Sequence, residues 1–493
     1  MKPWLGCCGV VLIFSLTLPA QSGEESSGLA SALQHISTAH LLADVSRLSG
    51  SAFRGRLTGT AEDLQSAHFV ATRLSTLGLQ PPPSPSEPAW MMTTGVQATR
   101  IADNPPPEFQ MQSPNSSQAI QIGPDYLPIL DSPSINVTAS LVFVGYGISD
   151  TKHGFNEYAG IDVHNRIVVF LRGKPESYAH PITHADKVRV ARQHGAAAFL
   201  TFTGPVMSPY EARRGMSHAP LAFYNQTGQE PPFPGAWIHT DLAERLLSAG
   251  LSPVGRSLRE VQQQLQTLTP QSFESDTLIR LKWDSIQEKG VLNNVLGVFQ
   301  GSDPSLTQET VIIGAHRDHF GRQAGLVFPG ADDNASGTAV MLEVARIFAE
   351  SGLTPKRSLL FASFSGEEQG LLGSRLYVNQ PTRPLMKTVA MINIDHAGVG
   401  NGRLTVGVTG LDKSQAANAG DHAGVGDKVD FFGFFPGGDH VPFKEAGVPT
   451  ITIVSGGPHP HFHQPSDSSD TVRPEILERT VRYVVALAWQ LAN

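Results

Sequence analysis

The 493 residues are 40% hydrophobic and 16% charged, with a formal net charge of −8 and acidic and basic side chains mixed along the chain. That is apolar chain enough for a sizeable core and too much length for one simple domain, so two domains are expected. No run of Lys or Arg stands out, which argues against nucleic acid or an anionic membrane surface as a partner.

At the N-terminus, Lys2, the apolar run from Val10 to Leu18 and the small Ala20 before Gln21-Ser-Gly fit a secretory signal peptide over residues 1–20. The run is too short to span a bilayer. A secreted or periplasmic protein with no stable membrane insertion is expected. Cys7 and Cys8 are the only cysteines and both precede the apolar run. The mature chain is therefore expected to be free of thiols, leaving His, Asp and Glu to hold any metal, a set that favours catalytic over structural ions.

Leu41, Leu42, Val45 and Leu48 recur at near-helical spacing, as do Ala67, Val70, Ala71, Leu74 and Leu77, before Gly78 ends the run. Between them Gly55 to Thr60 reads as a polar loop. Pro81 to Pro88 and the Pro/Ser/Asn-rich stretch from Asn104 to Gln118 read as irregular surface chain, the second marking a domain boundary. From about Ile135 the pattern changes to short apolar runs, Leu141–Val144, Ile167–Leu171 and Ala197–Leu200, with a helix from Asp186 to His194. His180, His184, His194 and His218 are scattered here, so this β-rich unit is expected to be a non-catalytic accessory domain.

After Pro270 strand and helix alternate. Asn294–Phe299, Thr310–Ala315, Ser358–Phe364, Val389–Ile394 and Pro449–Val454 read as strands; Ser336–Glu350, Leu371–Val378 and Pro474–Leu491 read as helices. The class is α/β, with a mostly parallel mixed sheet flanked by helices.

The strands in this series lead into residues that bind metal or move protons. His316 offers an imidazole nitrogen, and Asp318 can fix its tautomer and direction. In Pro329-Gly-Ala-Asp-Asp-Asn-Ala-Ser-Gly337, Asp332 offers two oxygens, enough to bridge two cations. Glu367-Glu368 follows Phe364, Asp395 follows Ile394, and His459-Pro-His461-Phe-His463 lies beyond Val454. Adjacent glutamates cannot both face one ion, so one coordinates while the other faces the attacking water. Spacing alone does not choose among the three histidines.

With these motifs in order, Asn293 to Asn493 resembles the zinc exopeptidases of metallopeptidase family twenty-eight, which includes secreted aminopeptidases and glutamate carboxypeptidases. The match runs through Gly-Ala-His316-x-Asp318, Pro-Gly-Ala-Asp332-Asp333, Glu367-Glu368, Asn-Ile-Asp395 and His463-x-Pro-x-Asp467. Residues from roughly 135 to 272 resemble a protease-associated domain inserted into the peptidase domain, through Val-Gly-Tyr-Gly147, Asp162 to Leu171 and His194 to Leu200. The resemblance implies a signal peptide at 1–20, peptidase chain at 21–134 and 273–493, and the insertion between. It implies two zinc ions, with Asp332 bridging, Glu368 and His463 on one, His316 and Asp395 on the other, Glu367 as general base, and a cis Asp332–Asp333 peptide. It implies peptide N-termini as substrate; a carboxypeptidase, a glutaminyl cyclase-like enzyme and a non-catalytic receptor of the same fold are the competing readings. Several relatives carry Tyr where this chain has Phe462, so oxyanion stabilisation is expected here from zinc or from another donor, with His440 the candidate.

Overall fold

The computed structural model describes residues 21–83, 89–112, 120–208, 211–212, 216–225 and 231–493. The expected signal peptide and both cysteines lie outside the described residues. Eight strands form the larger sheet in the order Met91–Ile101, Ser285–Phe299, Ser358–Phe364, Thr310–His316, Thr388–Ile394, Thr450–Ser455, Leu404–Thr409, Val429–Phe432. The four from Ser358–Phe364 to Thr450–Ser455 run parallel, and they join antiparallel neighbours on both sides. These four are the runs of Val, Ile, Leu and Phe that the sequence makes plain, as strands covered on both faces must be. Met91–Ile101 has no such run. It is a half-exposed edge strand held by its eleven-residue antiparallel register with Ser285–Phe299.

Helix Gly337–Glu350 is buried from Gly337 to Phe348 and fills one face of the sheet. Its acid Glu343 is not stranded there: Arg346 Nε donates to Oε2 at 2.9 Å and Ser37 N to Oε1 at 2.6 Å. Ser37 also caps helix Thr38–Leu48, its side chain accepting from His40 N at 3.2 Å. The N-terminal helices are thus tied to the central one by a buried acid, and Leu41, Val45, Val70 and Leu74 enter the same core.

A second sheet of seven strands has the order Glu108–Gln112, Phe273–Trp283, Ile135–Phe143, Ile167–Leu171, Ala198–Phe202, Gly235–Ile238, Tyr126–Pro128. Its strands lie between residues 108 and 283, so this sheet draws on chain to both sides of 135–272. Only Asp284 separates Phe273–Trp283 from Ser285–Phe299 of the larger sheet. Trp283, buried and donating Nε1–H to Ser132 Oγ at 3.0 Å, anchors that exchange on the second sheet. Helix His184–Gln193 beside it begins with a reciprocal cap between Thr183 and Asp186.

Candidate metal centre

Parallel strands deliver the loops at their C-terminal ends to one edge of a sheet. His316 is the last residue of its strand, Asp395 follows Ile394, and Glu367-Glu368 follows Phe364 through Ser365-Gly366. His316 Nε2 lies 3.3 Å from Asp395 Oδ1 and 3.4 Å from Asp333 Oδ1. His463 Nε2 lies 3.2 Å from Asp333 Oδ2 and 3.6 Å from Glu368 Oε2. Two donor groups result, His316/Asp333/Asp395 and His319/Asp333/Glu368, with Asp333 common to both.

That geometry corrects the expectation for Asp332. Gly330 has φ +59°, and a Cβ there would sit 2.3 Å from Asp333 O, so a glycine lets the chain enter the tight turn Ala331–Ser336. The Asp467 carboxylate accepts from Asp332 N at 2.9 Å and Asp333 N at 3.1 Å, holding the backbone so that neighbouring side chains diverge. Asp333 turns to the shared position. Asp332 turns away, accepting from Gly398 N at 2.8 Å and facing His459 Nδ1 at 2.7 Å. The cis peptide joins Asp333 to Asn334, one residue later than expected.

Asp318 also acts differently from the expectation. His316 Nδ1 is 3.2 Å from the Asp318 backbone carbonyl and 3.7 Å from its carboxylate. The carboxylate instead accepts from Glu367 N at 3.2 Å and Glu368 N at 3.4 Å, so it sets the backbone of both glutamates. His319 escaped notice in the sequence. It is fully buried, and burial holds its imidazole neutral, so it donates Nδ1–H to Glu368 Oε1 at 2.6 Å. A signal existed: His316 and His319 flank Asp318 in one short loop.

His440 does not fit the oxyanion role. Its Nε2 is 3.0 Å from Phe435 O, a carbonyl that can only accept, and burial pushes its pKa down. The ring is then neutral with its one N–H spent. Phe462 stacks on His463 with centroids 3.7 Å apart, which orients that ring.

Below the loops lies a buried frame that the reading of Gly55 to Thr60 as a polar loop missed. Arg56 is fully buried and donates to Leu48 O, Arg317 O, Pro329 O and Gly330 O, clamping the two motif loops together. Arg317, between His316 and Asp318, points the other way and binds Asp63 Oδ1 at 2.7 Å, both side chains being 0% exposed. Removing one partner of such a pair costs about 3–5 kcal/mol because the other is left charged and dry. Asp63→Ala should lose that much stability in denaturant unfolding; a loss below about 1 kcal/mol, the range of a surface ion pair, would show that the pair does not hold the frame.

The second sheet's unit reaches the site, although no catalytic grouping was expected in it. Ala222 N donates to His463 O at 3.1 Å, and Phe223 and Tyr224 join Phe320, Glu367, Glu368 and His463 around a cavity of about 270 Å³. Burial, opposed by His316 and reinforced by Asp439 and Asp395, pushes the Glu367 carboxyl well above the usual range. Burial and the neighbours Asp333 and Glu367 do the same to Glu368.

These residues fit divalent cations. His319 Nε2 is a buried atom with no hydrogen-bond partner, and Asp333 Oδ2 accepts no hydrogen bond although His463 is close. Carboxylates packed this tightly in a dry site ionise together only when positive charge balances them. Imidazole and carboxylate donors are the set that zinc takes in catalytic sites.

Residues 294–488 match the family model described as Peptidase family M28. Transferrin receptor protein 2 of Homo sapiens is 29% identical over 297 residues, 54% of this chain and 34% of that protein. Aminopeptidase YwaD of Bacillus subtilis is 32% identical over 173 residues, 33% of this chain and 38% of that protein. The chain thus matches well under half the length of these two relatives, one named a receptor and the other an enzyme. The aminopeptidase structure from Aneurinibacillus sp. strain AM-1 superposes with a TM-score of 0.66 at 20% identity, covering 94% of this chain and 96% of that one, which shows the fold across both sheets.

Proposed function

Because residues 294–488 match the model of Peptidase family M28, we propose that the chain is an exported aminopeptidase of that family holding two zinc ions and removing residues from peptide N-termini. His316, Asp333 and Asp395 would hold one ion, and Asp333, Glu368 and His463 the other. When bound, such ions polarise the scissile carbonyl and lower the pKa of the attacking water.

The observation that favours the amino end is the charge of the cavity. Its described lining carries Glu367 and Glu368 and no Lys or Arg. The nearby guanidinium groups of Arg56 and Arg317 are spent on carbonyls and Asp63. A substrate's α-ammonium is attracted there, whereas an α-carboxylate finds no cationic side chain among the described lining residues to receive it. Glu367, half-buried at the cavity wall, takes the proton of the attacking water and returns it to the leaving amine. Asp318 holds the backbone of Glu367 in reach, and His319 steadies Glu368.

On this reading the unit spanning 108–283 is a protease-associated domain that roofs the cavity with Phe223 and Tyr224, and the N-terminal apolar run directs export to the periplasm or outside the cell. Among the described residues no helix is long and apolar enough to cross a membrane. A panel of aminoacyl-anilides tests the function: cleavage should vanish on chelation and return with added zinc. No chelator-sensitive cleavage across the panel would contradict it.

A further inference from the structure

Asp332, His396 and His459 offer ligand atoms that all lie within 4.8 Å of one another, in a crevice also lined by Val399 and Phe462. The hydrogen positions there are constrained by the neighbours. His459 Nε2 is 3.0 Å from Ser455 O, and since a carbonyl only accepts, Nε2 carries the hydrogen. In a neutral ring Nδ1 is then a bare lone pair, and it faces Asp332 Oδ2 at 2.7 Å. His396 turns Nε2 towards Asp333 Oδ2 and Asp395 Oδ1, at 3.7 and 3.8 Å. Its Nδ1 is buried without a hydrogen-bond partner and lies 3.6 Å from the same Asp332 Oδ2. Asp332 Oδ1 is already bonded to Gly398 N at 2.8 Å, so Oδ2 is the atom left to face both rings.

Asp332 Oδ2, His459 Nδ1 and His396 Nδ1 therefore converge, and His459 Nδ1 brings no hydrogen to the group while its ring is neutral. One divalent ion satisfies all three atoms at once, and two imidazole nitrogens with a carboxylate oxygen form a zinc-type donor set that leaves a fourth position to water. We infer that Asp332, His396 and His459 bind a third divalent ion of the zinc class, beside the two of the proposed function and sharing no ligand with them. The inference rests on that reading only in calling this ion the third.

Its effect is on position. Phe462 N donates to His459 O at 3.1 Å and the Phe462 ring stacks on His463, so an ion on His459 fastens the turn that carries His463. The three residues are positioning residues for that ligand and touch no substrate.

The test is a count of sites on the intact protein, by elemental analysis after zinc loading and by ¹¹³Cd NMR after cadmium loading. Wild type should bind three ions and show three resonances, and His459→Ala should bind two. Wild type and variant both binding two would overturn the third ion and leave the two-zinc reading standing. One ion in wild type, lost in His459→Ala, would uphold this site and overturn the pair. Should His459→Ala fail to fold, the resonance count on wild type decides alone: three uphold the inference and two overturn it.

Discussion

Glu367→Gln should lower kcat by about 10²–10⁴-fold, equivalent to about 3–5 kcal/mol of barrier, while its metal content stays at the wild-type level. The amide keeps the shape of the side chain and removes only the group that takes and returns a proton. Its backbone N–H would still reach Asp318 Oδ1, 3.2 Å away in the present structure, so the loop should hold. Glu368→Gln should behave oppositely. That carboxylate shares a donor group with Asp333 and His319, lies 3.6 Å from His463 and is steadied by His319 at 2.6 Å, so its loss should empty a metal position. Turnover should partly recover in excess zinc. Metal stoichiometry and turnover measured side by side distinguish the pair; equal metal loss in both variants, or full turnover in Glu367→Gln, would refute the division of roles.

The second large effect separates two adjacent aspartates. Asp333→Asn should weaken binding of both catalytic ions by more than about 100-fold, since outer-sphere changes alone cost 10–100-fold and this residue touches both donor groups. Asp332→Asn should keep that pair, because its carboxylate faces Gly398 and His459. Competition with a chromogenic chelator reads both. Loss of the catalytic pair in Asp332→Asn with retention in Asp333→Asn would restore the assignment expected from sequence.

That reversal marks where sequence ceased to be informative. The parallel strands were legible because buried strands are continuous apolar runs, and their C-terminal ends announced His316, Glu367-Glu368 and Asp395. Which of Asp332 and Asp333 faces inward depends on the turn after Gly330 and on Asp467, 134 residues from Asp333, accepting from both backbone amides. No periodicity carries that. Arg56 was hidden for a related reason: a basic residue among glycines reads as solvated, and only the fold shows its guanidinium enclosed by four carbonyls. His440 had the right neighbourhood but the wrong hydrogen, a matter decided by the Phe435 carbonyl. Met91–Ile101 went unseen because an edge strand needs partners more than apolar residues.

The most direct test of the account is mass spectrometry of one peptide in three forms, free at both ends, N-acetylated, and C-amidated, each incubated with zinc-loaded protein. The account predicts stepwise loss from the N-terminus of the free and the C-amidated peptides, and no cleavage of the N-acetylated one. Residues removed from the C-terminus, or equal cleavage of the N-acetylated peptide, would contradict the claim that an acidic cavity, with no Lys or Arg among its described lining residues, selects a free α-ammonium.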